Sequence, residues 1–89
     1  MLLRITEERL GGVTVVQVAG RLVGEGVEEL ARVSAASPRP LRVDLTALLQ
    51  VDEIGLSLLR SLRASGAELA GVSPFIGLLL EGGRERAAQ

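Results

Sequence analysis

The sequence contains no cysteine, no histidine and no lysine, and Phe75 is the one aromatic side chain in its 89 residues. Without Cys and His there is no disulfide staple, no thiolate nucleophile, no imidazole triad and no zinc site of the usual ligand set. Without Lys there is no ammonium phosphate cradle and no Schiff-base chemistry. All ten basic residues are Arg; they are scattered among eleven acidic residues, for a net charge of −1. A chain with no basic stripe and no stacking aromatics is a poor nucleic-acid binder. Its apolar runs fall well short of the roughly 20 residues a membrane-spanning helix needs. The first ten residues, MLLRITEERL, carry charges where a signal peptide has its apolar region. These absences lead us to expect a cytoplasmic protein with no membrane insertion, no metal and no cofactor.

Hydrophobic residues make up 47% of the chain, enough for a folded domain and too many for a disordered one. The length corresponds to one domain, with the fold expected over 1–83 and a polar tail over 84–89. A chain of this size hides about 60% of its unfolded surface. Its modest core must therefore come from Leu, Val, Ile and Ala.

Leu3 and Ile5 alternate with Arg4 and Thr6, as in a strand with one exposed side. Gly11-Gly12 then separates this run from Val13-Thr14-Val15-Val16-Gln17-Val18-Ala19. A Gly pair between two strand-like runs is a hairpin signal, because both positions can take positive φ. Residues 20–24 read as a connector, and a helix is expected from about Glu25 to Ala35. Val27, Leu30, Ala31 and Ser34 give that helix a narrow apolar stripe, and Glu25, Glu28 and Glu29 suit its N-terminal dipole.

Ser37-Pro38-Arg39-Pro40 ends the helix and starts an extended segment. The strand Leu41–Thr46 follows, with Leu41, Val43 and Leu45 on one face. A second helix is expected over about Ile54 to Ser65, with Gly66 as its C-terminal cap. Ala67 to Val72 reads as a fourth strand. Ser73-Pro74 is a helix start, Ser as N-cap and Pro at the first position. The Leu-rich third helix should close at Gly82-Gly83. The order β-β-α-β-α-β-α implies an α/β fold: a small, mostly parallel sheet of about four strands with three helices and one antiparallel edge strand.

The chemistry is concentrated in Asp52-Glu53-Ile54-Gly55, between the central strand and the second helix. Asp52 suits an N-cap, its side-chain oxygen accepting an amide of the first turn, and Glu53 suits the dipole. A magnesium site built from Asp44, Asp52 and Glu53 is the weaker reading: hard cations want oxygen ligands, but the cap and the dipole account for these residues better. Asp44 fits a hydrogen-bonding turn residue better than a catalyst. Gly55 lies in the first helical turn, where Gly costs about 1 kcal/mol relative to Ala, so it marks either tight packing on a strand or a partner contact. Ile54 is either the first core residue of the helix or an exposed apolar contact. Leu56 lies off the Leu58, Leu59 and Leu62 stripe and is expected to be exposed. With Ile54 it would form a small adhesive patch.

Three segments carry a family resemblance: VVQVAGRLVGEGVEELA, LRVDLTALLQVDEIGLSLLRSL and GAELAGVSP. Their order and spacing resemble the STAS domain of bacterial anti-sigma-factor antagonists over about residues 13–82. The family's strand ending in Asp-Leu is matched by Asp44-Leu45. Its Asp-Ser-Ser-Gly-like turn is matched by Asp52-Glu53-Ile54-Gly55. The resemblance implies a non-enzymatic module that docks the turn and the following helix onto a kinase-like anti-sigma factor. In the family that kinase phosphorylates the serine at the third turn position, which breaks the complex. Here that position is Ile54 and the preceding one is Glu53, so the resemblance comes without the phosphoswitch, and no phosphorylation is expected there. Ser57, one turn on, is the nearest hydroxyl and reads as a solvent-facing helix serine.

The expected contact surface is Asp52, Glu53, Ile54, Gly55, Leu56 and Ser57, with Arg21 to Glu25 nearby. A second class of partner also fits the resemblance: STAS subunits of bacterial ABC-type lipid transport complexes bind the ATPase subunit, and their turns often lack the serine. A phosphoryl-accepting enzyme fits worst, because the chain has no Lys and no assembled acidic pocket. The Leu-rich last helix, with Ile76, Leu78, Leu79 and Leu80, leaves a homodimer open.

Overall fold

Gly11 and Gly12 take φ of 57° and 83° and turn the chain back on itself. Only Gly adopts such a pair without strain. The turn joins β1 (Leu3–Leu10) to β2 (Val13–Leu22), which pair antiparallel from Leu3↔Gly20 to Leu10↔Val13. The structure is a computed structural model describing the backbone of residues 3–88 and the side chains of residues 3–81. After β2 come α1 (Glu25–Ala36), β3 (Leu41–Asp44), β4 (Leu48–Val51), α2 (Glu53–Ala64), β5 (Glu68–Ala70) and α3 (Pro74–Ala88).

The sheet runs β1-β2-β3-β5, with β4 also paired to β2. Every pairing except that of β1 is parallel. The long strand β2 carries two short partners in succession: β3 along Thr14–Gln17, then β4 along Gly20–Leu22. The bend between them is held by Asp44, whose carboxylate accepts the Thr46 amide at 3.0 Å and the Thr46 hydroxyl at 2.6 Å. Gly71, at φ 66°, lies against Thr46 and leaves no room there for a side chain.

Alternation sets the two faces of the sheet. Val16, Val18, Leu22 and Val43 point to the helices and are nearly inaccessible. They meet Val27 and Leu30 of α1, Leu56, Leu59 and Leu62 of α2, and Ile76 and Leu80 of α3 in one aliphatic cluster. The opposite face is solvated and carries Arg4, Thr6, Gln17, Arg42 and Asp44. No buried side-chain polar atom among the described residues lacks a hydrogen-bond partner.

Three sequence expectations change. The sheet has five strands rather than about four, because Leu48–Val51 forms β4 where the pattern reads only as approach to a turn. Gly20, Arg21 and Leu22 complete β2 rather than opening a connector, since β4 gives them a pairing partner. The third helix passes through Gly82 and Gly83 to Ala88; Gly lowers helix propensity but, unlike Pro, keeps its amide donor. The side chains of 82–88, and Gln89 of the expected tail, lie outside the described residues. The caps are where the sequence puts them: the Ser73 hydroxyl accepts the Ile76 amide at 3.1 Å, and Gly66 follows α2 at φ 105°.

Candidate functional site

β4 and α2 meet at Asp52, whose backbone is extended (φ −96°, ψ −178°). Its amide donates to the Leu22 carbonyl at 3.3 Å, which fixes the residue to the end of β2. Its carboxylate then works in two directions. One oxygen, Oδ1, accepts the Gly55 amide at 2.8 Å, the N-cap bond expected from sequence. The other, Oδ2, accepts the Gly24 amide at 3.1 Å. Gly24 is the residue before α1, at φ 57°, and α1 has no side-chain cap of its own. One carboxylate thus holds the starts of two helices together. The Gly55 amide first, then the Gly24 amide, keeps the Asp52 carboxyl below its usual range. Asp44 is lowered too, chiefly by the Thr46 hydroxyl and then by the Thr46 amide.

Gly55 is buried, and the reason is steric. A Cβ there would lie 2.6 Å from Val51 Cγ2 and 2.8 Å from the Leu22 carbonyl oxygen. Tight packing on the sheet, the first of the two readings of this glycine, is thus observed. Leu56 is buried at 4% exposure, which corrects the expectation that it faces solvent. The inward stripe of α2 runs Leu56, Leu59, Leu62 at three-residue spacing, and Leu58 is half-buried on its flank. Ile54 is 65% exposed, so of its two readings the structure takes the solvent-facing one. Glu53 and Ser57 are exposed beside it, and Asp52 is half-buried.

The six residues therefore divide by role. Glu53, Ile54 and Ser57 project outward from the first turns of α2, while Asp52, Gly55 and Leu56 fix those turns to the sheet. Leu49, missed in the sequence, is 79% exposed on β4. Its outward turn is ordinary alternation after core-facing Leu48. The register then shifts, Gly20 opposing Leu48 and Arg21 opposing Gln50, so that Gln50 is exposed as well and Val51 returns toward the core. Nothing in Leu-Leu-Gln-Val signals which of the two leucines faces the core, because that is set by pairing with β2 and not by the strand alone.

Two concavities lie elsewhere. One, about 330 Å³, opens on the solvated sheet face beside Arg4, Gln17 and Asp44. The other, about 610 Å³, is an apolar groove between β5 and α3 lined by Leu69, Val72 and Leu78. Among the described residues no three acidic side chains gather as a metal site would require, and no helix is long and apolar enough to cross a membrane.

No family model matches the chain, and no curated protein matches its sequence. Solved structures do match its fold. An anti-sigma-factor antagonist from Mycobacterium paratuberculosis superposes with a TM-score of 0.63 at 23% identity, covering 94% of this chain and 81% of that one. The STAS domain of an antisigma-factor antagonist from Rhodobacter sphaeroides superposes with a TM-score of 0.58 at 22% identity, covering 79% of this chain and 87% of that one. The chain has the STAS fold, a small α/β domain of five strands and three helices.

Proposed function

We propose that this chain is a non-enzymatic protein-interaction module that docks a kinase-like anti-sigma factor through the turn and helix starting at Asp52. The observation that carries the reading is Ile54: a large aliphatic side chain 65% exposed on a helical turn that Asp52, Gly55 and Leu56 hold rigidly. Exposed apolar surface on a fixed backbone can be buried by a partner with little ordering cost. Complete burial of an Ile side chain is worth roughly 1.5–3 kcal/mol, enough to dominate a small interface. The STAS fold supports the reading, since both neighbours are anti-sigma-factor antagonists.

Binding is not switched by phosphate at the turn. A phosphoryl group would expel a partner by repulsion and desolvation, but Ile54 has no hydroxyl to receive one. We take the protein to act in the cytoplasm without a cofactor. A second reading draws on that same missing hydroxyl: a STAS subunit of an ABC-type lipid transport complex, bound to the ATPase subunit and never switched.

The test is calorimetric titration of the domain, and of its Ile54→Asp variant, into purified kinase-like anti-sigma factors and ABC ATPases encoded near its gene. An anti-sigma factor bound at least about tenfold more weakly by Ile54→Asp, with unchanged circular dichroism, is the expected result; tenfold corresponds to about 1.4 kcal/mol. Equal affinity of wild type and variant would overturn the docking surface. Binding to the ATPase alone would establish the second reading.

A further inference from the structure

We infer that the partner's docking surface is basic and carries an apolar socket for Leu49 as well as Ile54. The inference rests on the docking reading above and specifies the occupant's chemistry. Two independent features lead to it.

The first is Leu49. Following core-facing Leu48 on β4, it is 79% exposed, the highest of any large hydrophobic among the described residues. A large aliphatic side chain left this open beside a candidate docking turn is surface a partner can cover. Leu49 precedes Ile54 by five residues, so their Cα atoms are at most about 18 Å apart even along a fully extended chain. That span fits within one standard interface of about 800 Å² per partner.

The second is charge. The Asp52–Gly24 bond joins two segments whose next residues are both glutamates, Glu53 and Glu25. Both are exposed, and so is Glu28 one turn further along α1. Among the described residues none of the three makes an ion pair or a side-chain hydrogen bond, whereas the adjacent Glu29 is paired with Arg32. Arg21, at the same end of the sheet, shares a register position with Gln50. Ile54 thus stands beside exposed glutamates that make no ion pair within the chain, with Leu49 at most about 18 Å away. A surface rich in Arg or Lys around an aliphatic or aromatic socket is the complement of this face. A second copy of this chain is not: a two-fold interface would set these glutamates against their own copies.

The probe is the purified anti-sigma factor that binds in the titration above, with association and dissociation rates measured at about 50 and 200 mM salt. Wild-type association should slow several-fold between the two. The Glu25→Gln, Glu53→Gln double variant should associate about threefold or more slowly at low salt and lose most of its salt dependence. Leu49→Gln should dissociate roughly tenfold faster with its association rate unchanged. All variants must keep the wild-type circular dichroism; the sites are exposed, so folding is not expected to interfere. Wild-type rates in the glutamine and Leu49 variants, alongside lost binding in Ile54→Asp, would overturn this inference and leave the docking reading standing. Wild-type binding by Ile54→Asp, or no anti-sigma factor bound by the wild type, would bring down both.

Discussion

Replacing Gly55 with alanine sets two well-understood effects against each other. Gly→Ala within a helix gains about 1 kcal/mol of propensity. At Gly55 the added methyl would meet Val51 Cγ2 at 2.6 Å and the Leu22 carbonyl oxygen at 2.8 Å. Val51 could turn, but the Leu22 carbonyl is backbone and already accepts the Asp52 amide at 3.3 Å. To make room, the first turn of α2 must lift from the sheet, straining that bond and the Asp52 cap. Overpacking of this kind costs about 1–3 kcal/mol, and the contact with a carbonyl places Gly55→Ala at the upper end. The net loss is then roughly 1–2 kcal/mol, or about 4–16 °C in Tm for a domain of this size. Urea denaturation should show a lower midpoint at unchanged m. The lifted turn would also displace Ile54 and weaken partner binding. Gly66→Ala is the control: its φ is 105° but no atom lies within 4 Å of the added methyl, so it should destabilise without affecting binding. A Gly55→Ala variant as stable as wild type, or more so, would refute the steric argument.

Leu59→Ala removes a wholly buried side chain from the middle of the aliphatic cluster and should cost about 2–5 kcal/mol in equilibrium unfolding, a large part of the stability of so small a domain. Asp44 and Asp52 are both held below their ordinary value of 3.8. Their contribution is therefore full above that value and lost as pH falls through the lowered folded values. Stability should not vary through these two groups between neutral pH and about 5, and should fall on further acidification. Asp52→Asn should flatten that acid limb, as followed by thermal melts across the range.

The hairpin, the caps and the helix order were legible because each rests on local chemistry. Gly11-Gly12 takes the positive φ a tight turn needs at no steric cost, Asp52 and Ser73 carry the oxygens their helices need, and Pro38 and Pro40 cannot continue the helix that precedes them. Features set by pairing were not legible. Strand β4 is four residues long and forms because β2 extends far enough to receive it after β3 ends. That Gln50 is exposed alongside Leu49 while Val51 turns back inward follows from a register shift against β2 that no reading of Leu-Leu-Gln-Val can contain. A stripe anchored on Leu58 puts Leu56 outside; the face that is buried instead runs Gly55, Leu56, Leu59 and Leu62, with Gly55 packed against the Leu22 carbonyl, a contact between residues far apart in the chain. The second bond of Asp52, to Gly24, spans 28 residues and was invisible for the same reason.

The central claim is that a protein partner docks on the outward face of the first turns of α2. The most direct test is an amide chemical-shift titration of the labelled domain with the anti-sigma factor. The account predicts that perturbations centre on Gly24, Glu53, Ile54 and Ser57, extend to Leu49, and spare Gly11 and Gly12 at the hairpin tip. Perturbations centred instead on the solvated sheet face around Arg4, Gln17 and Asp44, or on the groove between β5 and α3, would contradict it.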